Sequence, residues 1–130
     1  MNSIIFSKRA PIGSVAINKN VLCTNQGCLS CVPYHDICSD YFYYLFSVQS
    51  DTFNLFGAGT TFKEISLLSF NNLVFQCPPL DEQQAIADYL DQKCEEIDTL
   101  VAEKEKQVAK LQEYKKALIF ECVTGKREVA

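Results

Sequence analysis

One hundred and thirty residues suffice for one domain, or one domain with an extension, but not for two full cores. Apolar residues at 48% with 22% charged describe a soluble globular chain rather than a disordered tail, and no apolar run is long enough for a membrane span. The net charge of −4 argues against a generic nucleic-acid binder, which carries a basic excess. Residues 1–14 show no apolar stretch behind a basic start, which speaks against a secretory signal and for a cytoplasmic protein.

The charge is unevenly placed. Residues 1–77 carry Lys8, Arg9, Lys19 and Lys63 against Asp36, Asp40, Asp51 and Glu64, whereas residues 78–130 carry eight basic and twelve acidic side chains. The first segment is therefore neutral and rich in aromatics, and all the acidity belongs to the second. The change coincides with Pro78-Pro79, a pair that continues neither a central strand nor a helix. The domain boundary is placed there, between residues 1–77 and 78–130.

Taken in chain order, Ile4–Ser7, Val15–Ile17 and a stretch around residues 21–32 are predicted strands. They are β-branched or apolar and are separated by Pro11, Gly13 and the Asn18 to Asn20 turn. Residues 40–56 read as helical, with Tyr41, Leu45 and Val48 on one face and Ser50 or Asp51 able to cap a second short helix. Gly57-Ala58-Gly59 is a turn leading to Thr60, Thr61, Phe62 and Lys63. Ser66 caps one more short helix, and residues 73–77 form a last buried strand.

From Asp81 to about Cys122 there is no Gly or Pro, and Ala, Leu, Glu, Lys and Gln dominate, which predicts a single long helix. Asp81 is the expected N-cap, with Gln84 completing a capping box, and Gly125 is the expected left-handed residue just past the end. Acidic residues crowd its first half and basic residues its second, as the helix dipole favours. Leu90, Cys94, Ile97, Val101, Val108, Leu111, Leu118 and Cys122 recur in steps of four and three once Lys104 and Lys115 fill the gaps, the pattern of a heptad seam. Some 41 residues span about 60 Å, more than a domain of residues 1–77 can cover, so part of the seam is expected to meet another helix. The two lysines weaken a simple dimer and can set register or partner choice.

Seven cysteines with an odd count and no secretory signal do not suggest a disulfide framework. Cys23, Cys28 and Cys31 have the C-x4-C-x2-C spacing of some iron–sulfur sites, with His35 and Cys38 nearby. The plainer reading is small apolar side chains on buried strands, and no metal or other cofactor is expected. No catalytic set can be assembled either. His35 is the lone histidine, Gly57-Ala58-Gly59 lacks the third glycine of a dinucleotide loop, and the carboxylates lie along the long helix, where solvation explains them.

The C-terminal stretch from Pro78-Pro79-Leu80 through Glu82-Gln83, Ile86, Leu90, Ile97-Asp98, Leu111 and Tyr114 to Val123-Thr124-Gly125-Lys126 resembles the conserved C-terminal region of type I restriction-modification specificity subunits. Upstream, Ser7-Lys8-Arg9-Ala10-Pro11-Ile12-Gly13, Thr24-Asn25-Gln26-Gly27 and Gly59-Thr60-Thr61-Phe62-Lys63-Glu64-Ile65 look like the second half of that family's target recognition domain. Each motif is weak alone, but four in the family's order, over nearly the whole chain, make a specific signal. The resemblance implies an α+β chain: a partial mixed recognition domain, then a long helix packing in a coiled coil or bundle. It also implies a chain shorter than a full recognition domain and lacking the second repeat of a whole subunit.

By the same resemblance the chain is a non-catalytic DNA-specificity module. Double-stranded DNA, the modification subunits that dock on the conserved helix, and the restriction subunit are its expected partners, and self-association or pairing with another specificity chain is expected through the helix. The expected DNA-facing residues are Lys8 and Arg9 for phosphates or guanine edges, Asn25 and Gln26 for adenine, and Thr60, Thr61 and Lys63 for phosphates. The helix interface is expected at Leu90, Cys94, Ile97, Val101, Val108, Leu111 and Leu118. The competing expectation is a coiled-coil adaptor, derived from such a subunit, that no longer reads DNA by itself.

Overall fold

The computed structural model describes residues 2–9, 11–59 and 63–128. Three short strands, β1 (Ile4–Ser7), β2 (Val15–Ile17) and β3 (Cys28–Cys31), form an antiparallel sheet in the order β2-β1-β3. Helices α1 (Ser39–Ser47), α2 (Ser50–Phe56) and α3 (Leu67–Asn71) follow, and α4 (Leu80–Val123) is the long C-terminal helix of 44 residues. This is the α+β class expected. The chain divides into two compact units, Met1–Tyr89 and Leu90–Ala130. No helix among the described residues is long and apolar enough to cross a membrane.

β1 is central because it pairs with both other strands, and its burial alternates. Ile4 and Phe6 are buried on one face, while Ile5 and Ser7 are only partly covered. It pairs Phe6 with Val15 of β2 and with Leu29 of β3. The β1–β2 connection closes through the Ser7 N–H to the Ser14 carbonyl at 2.8 Å and the Gly13 N–H to the Ser7 carbonyl at 2.9 Å. Gly13 has φ +93°, and a Cβ there would lie 3.0 Å from Phe53 Cδ2, so both the backbone conformation and the close packing require glycine.

Rings fill the space beneath the sheet. Phe6 meets Phe53 edge-on at 4.8 Å, Phe46 meets Phe53 at 5.7 Å, and Phe70 packs on Phe6 at 4.7 Å. Ile4, Ile12 and Ile65 complete the buried cluster, with Phe42, Leu45, Leu73 and Phe75 packed around it. Edge-to-face pairs of this kind add about 0.5–1.5 kcal/mol each beyond the area they bury.

Several local expectations are corrected. The stretch 21–32 is strand only over Cys28–Cys31. Ahead of it, the Asn25 Oδ1 accepts the Gly27 N–H at 2.8 Å and makes a turn, which leaves Val21 85% exposed. Residues 73–77 alternate like a strand, with Leu73 and Phe75 against the core and Val74 exposed, but they join no ladder. Val48 is not on the packed face of the first helix; it is the exposed C-cap of α1, and Phe42, Leu45 and Phe46 face inward. Gln49 rather than Ser50 or Asp51 precedes α2. Ser66 does cap α3, its hydroxyl accepting the Ser69 N–H at 3.0 Å.

At the start of α4 the Gln83 N–H already donates to the Pro79 carbonyl. Asp81 is therefore inside the first turn and not the N-cap, although there its charge, with that of Glu82, still favours the positive end of the helix. The end is as expected. Gly125 has φ +71°, its N–H donates to the Cys122 carbonyl, and the Lys126 N–H donates to the Glu121 carbonyl, a Schellman closure.

Candidate nucleic-acid interface

The residues just past β1 are clasped on both sides. The Lys8 N–H donates to the Gly27 carbonyl at 2.9 Å, and the Lys8 carbonyl accepts the Ile65 N–H at 3.0 Å. Arg9 and Glu64 pair as a β-bridge, as do Ala58 and Glu64, the latter through two backbone bonds of 3.0 and 2.9 Å. Ile65, with no exposed surface, pins the segment to the core. Three loops far apart in sequence thus share one edge: residues 7–9, 25–27 and 63–65.

Glu64 links the cations there. Its Oε1 lies 2.6 Å from Lys8 Nζ and its Oε2 3.2 Å from Arg9 Nε. The hydrogen bond from Lys8 holds the Glu64 carboxyl below the ordinary glutamate range; desolvation opposes it, and the charges of Arg9 and Lys8 add to the lowering. The Lys8 side chain is 19% exposed and that of Arg9 46%. Arg9 lies over the 25–27 turn, since a Cβ on Gly27 would stand 3.4 Å from Arg9 Cδ.

Of the residues expected to face DNA, Lys8, Arg9, Asn25, Gln26 and Lys63 belong to these joined segments. Gln26 and Lys63 are exposed. The Oδ1 of Asn25 is committed to the Gly27 N–H, which leaves its amide nitrogen as the group able to meet a ligand. Thr60 and Thr61 lie outside the described residues. Glu64, which pairs with both Lys8 and Arg9, is not among the residues the sequence singles out; its place in Lys63-Glu64-Ile65, next to a cation and before a buried isoleucine, is the only local signal it carries.

Cys28 and Cys31 sit three apart on β3 and so point to opposite faces of the sheet. Burial pushes the Cys31 thiol up, and Cys23 is exposed in the preceding loop. Among the described residues, no three His, Cys, Asp or Glu side chains gather in a metal-holding group.

In the second unit, the seam residues Ile97, Val101, Val108 and Leu111 are 49–67% exposed, Cys94 is exposed and Leu118 is half-buried. Leu90, at the start of the same unit, is half-buried. Leu100 and Ile119 flank the strict heptad positions, whereas the exposed Phe120 and Val123 lie on other faces of the helix, and Ile97, Leu100, Val101, Lys104 and Val108 line a shallow groove along the stripe. These apolar side chains stand exposed along the second unit.

The described residues thus comprise a small α+β unit whose loops bring cations to one edge, and a long helix with an exposed apolar stripe. Residues 1–110 match the family model described as "Type I restriction modification DNA specificity domain", and the chain belongs to that family. It is 37% identical over 107 residues to the MjaIX type I restriction enzyme specificity subunit of Methanocaldococcus jannaschii, covering 81% of this chain and 24% of that protein. A second specificity subunit of the same organism, MjaX, is 31% identical over 127 residues, 97% of this chain and 29% of its own length. The fold superposes with a TM-score of 0.79 at 25% identity, over 92% of this chain, on 30% of a chain from a study of complex assembly and conformational transition in the type I restriction-modification system. The chain therefore spans 24–30% of the length of these relatives.

Proposed function

We propose that this chain is a DNA-recognition part of a type I restriction-modification complex, without catalysis of its own, in which methylation and cleavage belong to partner subunits. The family match over residues 1–110 carries the reading, and the joining of the 7–9, 25–27 and 63–65 segments on one edge supports it. Arg9 and Lys63 supply the exposed cations, Gln26 and the Asn25 amide the groups suited to adenine, and Lys8 a largely covered cation paired with Glu64. Thr60 and Thr61 join this set from the sequence. Residues 1–77 are taken as the partial recognition domain and residues 78–130 as the conserved helix with its short tail.

The helix serves as spacer and docking surface. Its stripe from Leu90 through Cys94, Ile97, Val101, Val108 and Leu111 to Leu118 receives modification subunits or the matching helix of another specificity chain, a second copy included. The restriction subunit completes the complex, and a cytoplasmic location follows from the DNA target.

The test is reconstitution with the modification subunits and measurement of duplex binding and methylation. Arg9→Ala and Lys63→Ala should each weaken DNA binding, by about 1–3 kcal/mol for a base contact or with a salt slope shallower by about one for a phosphate contact. A complex that methylates and binds DNA identically with both changes would remove these residues from the interface.

A further inference from the structure

Three cations and one carboxylate occupy the edge formed by residues 7–9 and 63–65, and the carboxylate stands between two of them, Lys8 and Arg9. Glu64 gives one oxygen to each, Oε1 to Lys8 Nζ at 2.6 Å and Oε2 to Arg9 Nε at 3.2 Å. Its backbone is set independently, by the pairing with Ala58, by the bridge to Arg9 and by the buried Ile65 that follows. The fold thus fixes the backbone from which this carboxylate reaches both cations.

The two cations are left in different conditions. Arg9 meets Glu64 through Nε, and among the described residues its two terminal nitrogens have no other partner, while its stem rests over the Gly27 turn. Lys8 is largely covered and spends its ammonium on Glu64. With the carboxylate counted, the trio carries one net positive charge in place of two. The binding of duplex DNA draws much of its sequence-independent strength from phosphates neutralised and counterions released. A fixed counter-charge removes part of that strength and leaves the aimed contacts.

We infer that Glu64 is a positioning residue of the DNA-facing edge: it holds Arg9 with its terminal nitrogens presented to a base edge or phosphate, and it withholds Lys8 from indiscriminate phosphate binding. This rests on the DNA-recognition reading proposed above. The role differs from a structural one in its sign, since loss of a structural prop weakens binding whereas loss of a counter-charge strengthens sequence-independent binding.

The experiment titrates the full chain, assembled with modification subunits, into a labelled duplex of random sequence across a salt series. Glu64→Gln should steepen the slope of log K against log salt by about one and tighten binding several-fold at low salt. The double variant Lys8→Gln with Glu64→Gln should bring the slope back towards the starting value. A slope for Glu64→Gln equal to or shallower than the parent's overturns the inference. Glu64→Ala provides a second neutral side chain, and failure of both to fold by circular dichroism also overturns it, because the role is then structural. Arg9→Ala separates the two ideas. If it leaves the slope unchanged, the DNA reading of this edge fails. If it lowers the slope while Glu64→Gln does not raise it, only the role of Glu64 fails.

Discussion

Gln83 sits in the first turn of α4 with both ends of its amide engaged and only 1% of its surface exposed. Its Oε1 accepts the Cys38 N–H at 2.9 Å, and its Nε2 donates to the carbonyls of Pro78 and Asp36 at 2.9 and 3.2 Å. One side chain thus satisfies the backbone at the start of α1, in the loop before it and at the proline pair. Gln83→Leu keeps the volume but strands a buried N–H, and should cost about 1–3 kcal/mol, read as a lower urea midpoint at unchanged slope. At Glu64 the depressed carboxyl gives a pH effect of known sign. A folded-state pKa below the unfolded one stabilises above the unfolded value, and that share is lost as pH falls from about 5 through the folded pKa. Acid unfolding of Glu64→Gln should therefore start from lower stability at neutral pH and fall less steeply, and added salt should shrink the difference because the pair is partly exposed. Identical pH profiles for the two proteins would show that the ion pairs contribute nothing to folding. Neither residue announces itself in the sequence. A Gln beside a Glu at a helix start reads as solvated, and which of Glu82, Gln83 and Gln84 turns inward depends on how α4 meets the 36–38 loop.

At the scale of elements, the strands and helices with strong local signals were legible. β1, β2, the α1–α2 pair, the Ser66 cap and the Gly125 ending follow from alternation, helical spacing and capping chemistry that act within a few residues. The errors fell where local pattern lacked a partner or met a competing turn. Residues 73–77 alternate as a strand does, yet a strand exists only beside another strand, and none is offered there. The apolar run from Val21 is interrupted because the Asn25 side chain and the Gly27 N–H close a turn more cheaply than a longer β3 would. For α4, Val101→Asp with Val108→Asp leaves propensity nearly intact but puts charge into the apolar stripe. Sedimentation should show the variant losing association with itself or with modification subunits. An unchanged association state would place the partner surface elsewhere on the helix.

For the whole molecule, the two compact units have different sources of stability. The ring cluster around Phe6, Phe46 and Phe53 stabilises the first. The second is a helix whose apolar residues are mostly exposed, and a lone helix draws most of its stability from packing against a partner. Phe53→Ala should cost the first unit about 3–5 kcal/mol, lowering the near-ultraviolet transition of its aromatics. Helicity from residues 90–130, measured on the corresponding peptide, should rise with concentration. A concentration-independent signal would mean that the helix stands without a partner.

The overall charge belongs to this scale as well. The excess of acid lies after residue 77, so the value of −4 does not describe the edge where Lys8, Arg9 and Lys63 sit. Sequence alone determined the α+β class, the long helix with its ending, the heptad stripe and the family, because these depend on period, composition and short motifs. Tertiary structure alone decided that loops at 7–9, 25–27 and 63–65 share an edge, that Asn25 spends its oxygen on a turn, that Glu64 stands between Lys8 and Arg9, and that Gln83 is the buried amide. Those facts rest on backbone bridges and ion pairs between residues up to some fifty positions apart, and no local period in a single sequence encodes which distant partners such groups will find.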